Sequence, residues 1–373
     1  MKRRGLEAAL RRELRSLHAP GEARAAERVR RRVLAAYTAR PPAARPRRRV
    51  AAALAVAAVL LVVAAAGLTA PRQAIGDWLR DVVQRETAPR TPRAAGALPA
   101  GGRLLVAGPS GVSLVAGSME AVRLGPYREA AWSPAGRFAA VTTGRTLLAV
   151  TPAGEVRWRV TPSDPPRSPR WAPDGFRLAY LAGHQLRVVV GDGTDDRLFR
   201  GHVRDVPPAF KPTAGRTLAW IDGDGHVRVA DVDDAVLRWR SPTPVPARSS
   251  ALSWSADGER ILVAGRRGLA LYDLGSRRVR SAPARGRVVA AGFPPRGSGR
   301  PALVERRGGR STVRLLGRAE PMIATRGRYD GLTWAPDGRW LLTRWDGQWL
   351  LVRRDGRSVV TTPDQGEPQG WTP

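Results

Sequence analysis

Four histidines, His18, His184, His202 and His226, are the only imidazoles in the chain, and no cysteine accompanies them. They fall singly in separate segments, and no two have the spacing that puts a pair of ligands on one metal. Asp222-Gly223-Asp224-Gly225-His226 begins like a calcium loop. It lacks the continuing ligand series and the distal glutamate that such a loop uses, so it reads as a hairpin turn. Asp192, Asp195 and Asp196, and again Asp231, Asp233 and Asp234, read the same way. No Gly-x-Ser-x-Gly elbow exposes a nucleophilic serine, and no Gly-x-x-x-x-Gly-Lys-Ser/Thr loop cradles phosphates. The absence of cysteine removes thiol catalysis, disulfides and thiolate-bound zinc. These residues predict no catalytic group, no cofactor and no metal: a chain that binds and does not catalyse.

Aromatic residues carry the next signal. RWLLTRWDGQWLLV holds Trp340, Trp345 and Trp349. Trp340 and Trp349 adjoin long apolar runs and are expected to pack. Trp345 lies beside the Asp346-Gly347 turn and is the candidate contact residue, since aromatics on loops anchor partners.

What positions these residues is a repeat. AAWSPAGRFAAV, PRWAPDGFRLAYL, PAFKPTAGRTLAWI, LSWSADGERILVA, AGFPPRGSGRPALV and LTWAPDGRWLLTR follow one another from residue 130 onward. Each has an aromatic, a turn and an apolar strand. The anchors Trp132, Trp171, Phe210, Trp254, Phe293 and Trp334 are spaced by 39, 39, 44, 39 and 41 residues. A period near 40 with several short strands per repeat marks a β-propeller. The chain ends Gly370-Trp371-Thr372-Pro373, a repeat start with no body, while Arg103–Ala107 lies in a repeat body with no aromatic start. The two halves complement each other, which predicts seven blades closed by the C-terminal strand and no open edge. In each blade the aromatic segment is expected to be innermost, with its ring wedged between neighbours. Asp-Gly at 174–175, 257–258 and 337–338 supplies tight turns that need a positive φ.

These motifs resemble the WSPDG repeats of TolB-type propellers and, more distantly, WD-repeat propellers, over residues 98–373. The resemblance implies a platform fold and leaves function open. TPAGEVRWRV around Trp158 and DVDDAVLRWRSP around Trp239 resemble the blade ends of quinoprotein propellers. That implies a quinone-dependent dehydrogenase as a minor alternative.

The formal net charge is +31, and arginine supplies all but Lys2 and Lys211 of the 63 basic residues. The arginines run along the whole chain, which reads as the codon bias of a GC-rich genome and not as a specific nucleic-acid surface. The surface is still expected to prefer anionic partners, a protein or an anionic envelope polymer.

Residues 50–70 form an apolar stretch of the length that spans a bilayer. Residues 1–49 carry 16 basic and four acidic residues, against five arginines in the 23 residues after the stretch. The positive-inside rule keeps the N-terminus in the cytoplasm and exports the rest. Two short basic helices are expected within 1–49, loosely resembling the layout of single-span anti-sigma regulators. A juxtamembrane helix bearing Trp78 and a linker fill 71–97. The whole layout resembles uncharacterised membrane proteins of high-GC actinobacteria. Together these features predict a single-pass protein of the cytoplasmic membrane with an extracytoplasmic, non-enzymatic binding or scaffold propeller. Transmembrane signalling by that propeller is the alternative.

Overall fold

The structure is a computed structural model that describes residues 93, 94 and 96–373, except 118, 298 and 358. The expected cytoplasmic helices, the span 50–70 and the juxtamembrane helix lie outside the described residues. Among the described residues no helix is long and apolar enough to cross a membrane.

The described chain is almost entirely β, in seven antiparallel sheets. The first blade joins Glu367–Thr372 to Arg103–Gly108, Gly111–Val115 and Ala121–Gly125. The second runs through Glu129–Trp132, Ala139–Thr142, Leu147–Val150 and Val156–Val160. The third comprises Pro166–Trp171, Arg177–Ala182, Gln185–Val190 and Arg197–Arg200. The fourth comprises Ala209–Phe210, Thr217–Ile221, Val227–Asp231 and Leu237–Arg240. The fifth comprises Ser249–Trp254, Arg260–Gly265, Gly268–Asp273 and Val279–Pro283. The sixth comprises Arg287–Gly292, Ala302–Arg307, Arg310–Leu315 and Ile323–Arg326. The seventh comprises Tyr329–Trp334, Trp340–Trp345, Gln348–Arg353 and Val359–Pro363.

The first-named strands neighbour one another in a closed cycle, so they line the axis, as the aromatic spacing predicts. Closure also follows the expected register: Arg103 pairs with Thr372, Leu104 with Trp371 and Leu105 with Gly370. One element departs from expectation. Arg93–Ala94, read as linker, adds a fifth strand to the seventh blade, parallel to Val359–Pro363. Two residues carry too little periodicity to announce a strand; the pairing comes from the unused edge of the outermost strand.

The core is not one mass. The buried apolar residues form seven clusters, one at each junction between adjacent blades. Leu104 and Val106 of the first blade meet Leu342, Trp349 and Leu351 of the seventh in one of them, which closes the ring. The aromatic wedges tie these junctions together. Trp254 Nε1 donates to Ala209 O at 2.9 Å and Trp334 Nε1 to Gly292 O at 3.1 Å, each acceptor on the preceding innermost strand. Trp254→Phe should therefore cost about 1–2 kcal/mol in urea unfolding, from the stranded carbonyl and the lost ring volume. The expected turns form too. Asp174, Asp257 and Asp337 each accept the backbone N–H two residues on, at 2.8–3.0 Å. The glycines that follow them have φ between 65° and 78°, which a side chain resists.

Candidate functional site

Antiparallel blades sort their connections onto two faces. The segments leading into each innermost strand share one face, here termed upper, with the turns between second and third strands. Backbone bonds stitch the two kinds together: Val203 N–H to His184 O at 3.0 Å, Arg204 N–H to Ile221 O at 3.0 Å and Ala284 N–H to Arg267 O at 3.0 Å. Propellers bind through such loops because the blades beneath hold them rigidly.

Between the third and fourth blades the upper face opens into a cleft of about 540 Å³. His184 comes from the second hairpin turn of the third blade, and His202, Arg204 and Asp205 from the segment leaving that blade. Gly223 belongs to the corresponding turn of the fourth blade, and Arg248 precedes the fifth. His202 and Arg248 hold φ values of 52° and 54°, a costly backbone for non-glycine residues and one that concentrates at binding sites.

Charge in the cleft is unbalanced. Asp205 is engaged by Arg167 Nε at 2.8 Å, and Arg167 also donates to Gly183 O at 2.8 Å. Among the described residues Arg204 reaches only the Gly223 carbonyl, at 3.4 Å, and Arg248 has no carboxylate partner. The opening therefore presents two guanidinium groups and two exposed imidazoles with one already engaged carboxylate. An anionic group, carboxylate or phosphate, is the ligand that such a set recognises.

Sequence separation had kept His184 and His202 apart. The structure brings them to one cleft, because the segment after the third blade folds back over that blade's own hairpin turn. The signal was available: a 40-residue period places every such segment beside such a turn. His226 lies outside the cleft and donates Nδ1–H to Ser241 O at 2.9 Å. Asp222 accepts the His226 N–H at 2.8 Å and pairs with Arg228 at 2.6 Å, so the Asp222–His226 stretch is a hairpin turn, as expected. Asp192 caps Thr194, Asp233 pairs with Arg177 and Asp234 with Arg238. Among the described residues no three His, Asp or Glu side chains are placed to hold a metal ion.

Trp345 is half-buried on the upper side of the seventh blade. Its ring packs on the cluster between the sixth and seventh blades, and its Nε1 donates to Arg326 O at 3.0 Å. Trp349 is fully buried and donates to Gly366 O at 2.9 Å. Trp158 and Trp239, on outermost strands, lock blades. Trp158 donates to Gly191 O at 2.9 Å in the next blade, and Trp239 meets Tyr272 edge-on at 5.7 Å. The most strongly perturbed phenol is likewise structural: burial, then its bond to Asp196 at 2.8 Å, pushes Tyr180 far up. It sits inside the third blade, away from the cleft, and stays protonated.

No protein-family profile matches the chain. No curated protein matches it either. Among solved structures it is similar to the β-propeller domain of Cps50 (Swd1) from Myceliophthora thermophila. That likeness has a TM-score of 0.51 at 13% identity, covering 67% of this chain and 90% of that one. At this identity the likeness speaks for the propeller fold alone.

Proposed function

We propose that this chain is a single-pass protein of the cytoplasmic membrane whose propeller, outside the cytoplasm, binds partners without catalysing a reaction. The observation that carries the binding half is the cleft between the third and fourth blades, built on rigid loops and holding Arg204 and Arg248 without carboxylate partners among the described residues. The anchoring half rests on the apolar stretch 50–70 and the basic bias of 1–49. The layout resembling membrane proteins of actinobacteria supports it in the same way. That Asp192 and Asp222, singled out by type, are spent on hairpin turns supports a binder over an enzyme. The favoured partner is a protein or an anionic envelope polymer that offers a carboxylate or phosphate to the cleft.

The test is proximity labelling on intact cells with the labelling enzyme fused after Pro373, comparing the natural chain with an Arg204→Ala/Arg248→Ala double variant. Labels confined to extracytoplasmic molecules, with one or more lost in the variant, are expected. Labels on cytoplasmic proteins would refute the orientation, and identical label sets would refute the cleft.

A further inference from the structure

The arginines are not evenly spread once the chain is folded. Residues 98–373 hold 42 basic and 25 acidic residues, whereas 284–329, essentially the sixth blade, hold 11 arginines and two glutamates. The linear chain hides this because the arginines are separated by strands, and antiparallel folding returns the strand ends to one rim.

On the upper rim of that blade Arg307 pairs in register with Arg310, and Arg310 with Arg326. The three therefore share one side of the sheet, across three strands at ~4.8 Å spacing. Like charges directly opposed across strands are unfavourable, and no acidic side chain among the described residues pairs with them. Arg266 and Arg267, on the upper turn of the fifth blade, join the group. Arg266 O accepts the Val288 N–H and Arg267 O the Ala284 N–H, while Gly286 lies against Arg307 Cβ. All five guanidinium groups are exposed, and among the described residues none has a carboxylate partner or donates a side-chain hydrogen bond. The nearby acids are already engaged. Glu305 is buried against Arg314, Asp330 pairs with Arg306, and Asp346 accepts the backbone N–H of Arg328.

We propose that Arg266, Arg267, Arg307, Arg310 and Arg326 form a binding crest for a linear phosphate polymer recognised through its charges alone. This deepens the binding-module reading and rests on it. Arginine's planar fork suits a phosphate's paired oxygens. A row of donors fits repeating charges along a chain better than one compact anion. A protein partner would require apolar anchors, and the large exposed apolar side chains Val122, Val156, Phe176, Leu198, Val236 and Leu237 all lie on other blades. Base-specific nucleic-acid binding would require free stacking rings, and the ring beside the crest, Trp345, leans on the core with its Nε1 bound to Arg326 O.

The experiment maps phenylglyoxal labelling of arginines by mass spectrometry on the full chain, with and without inorganic polyphosphate, at low and high salt. Labelling of the five crest arginines should fall several-fold at low salt, and the protection should fade as salt rises. Arg296 and Arg318, exposed at the opposite end of the same blade, are the internal reference and should stay reactive. An Arg307→Gln/Arg310→Gln/Arg326→Gln variant should lower the slope of log affinity against log salt by about one for each arginine removed. Equal protection of Arg296 and Arg318, no protection of the crest, or tighter binding of poly-glutamate or phosphatidylglycerol vesicles would overturn the crest. Any of these would leave the cleft between the third and fourth blades untouched, since its test reads Arg204 and Arg248.

Discussion

Deleting Glu367–Pro373 should abolish cooperative folding of the propeller or lower its melting temperature by on the order of 10 °C or more. The deletion removes the whole innermost strand of the first blade, with its ladder to Arg103–Gly108. Leu104, Leu105 and Val106, now fully or almost fully buried, would lose their cover on one side. An unpaired inner edge would face the axis, and such an edge recruits other chains. Trp371 contributes further: its Nε1 donates to Gly101 O at 2.9 Å, and Gly370 lies against Trp132 of the next blade. The loss is therefore felt at two junctions, not one. Thermal unfolding followed by circular dichroism, with light scattering, reads the effect. Adding the free peptide Glu367–Pro373 in excess should restore part of the melting temperature by strand addition. A truncated chain that melts like the natural one would mean that closure contributes little and that the inter-blade clusters alone hold the ring.

That prediction draws on the part of the fold most legible in the amino-acid sequence. The aromatic period is a direct record of wedge packing, because each ring must recur once per blade at the same depth. Trp132, Trp171, Phe210, Trp254, Trp334 and Trp371 all fall on innermost strands, and Phe293 follows the end of one. The Asp-Gly turns were equally legible, since their conformation depends only on adjacent residues. Long-range juxtaposition was not. His184 and His202 meet because a returning segment crosses a hairpin turn, and Arg307, Arg310 and Arg326 meet because three strand ends share a rim. Neither contact leaves a local pattern; each needs the strand register, which one residue of slip would invert. Trp345 shows a related limit. Its neighbouring turn made it a candidate contact residue, and what the turn could not announce is that its ring leans on the core and its N–H serves Arg326. The short strand Arg93–Ala94 is invisible for another reason: edge addition demands backbone, not side chains.

The second large effect lies beneath the arginine crest. Glu305 and Arg314 form an ion pair with side chains only 4% and 8% exposed, on the side of the sixth blade that meets the fifth. Glu305 also accepts the backbone N–H of Arg285 at 3.0 Å, which fixes the segment entering that blade. Replacing Glu305 with alanine leaves a guanidinium buried without a counter-charge and a backbone donor without its acceptor. The expected cost is about 3–5 kcal/mol in denaturant unfolding. The cost comes from the orphaned charge and not from the value of the pair, since removing two charges from water offsets most of their attraction. A double variant, Glu305→Leu with Arg314→Met, should therefore recover most of the stability lost by Glu305→Ala. The coupling energy between the two sites should be several times the few tenths typical of exposed pairs such as Arg238 with Asp234. If Glu305→Ala unfolds at the natural denaturant midpoint, Arg314 must have turned out to solvent. The sixth blade would then carry its eleven arginines with Glu320 as its one remaining acidic residue, and the crest would begin deeper in the sheet than its rim.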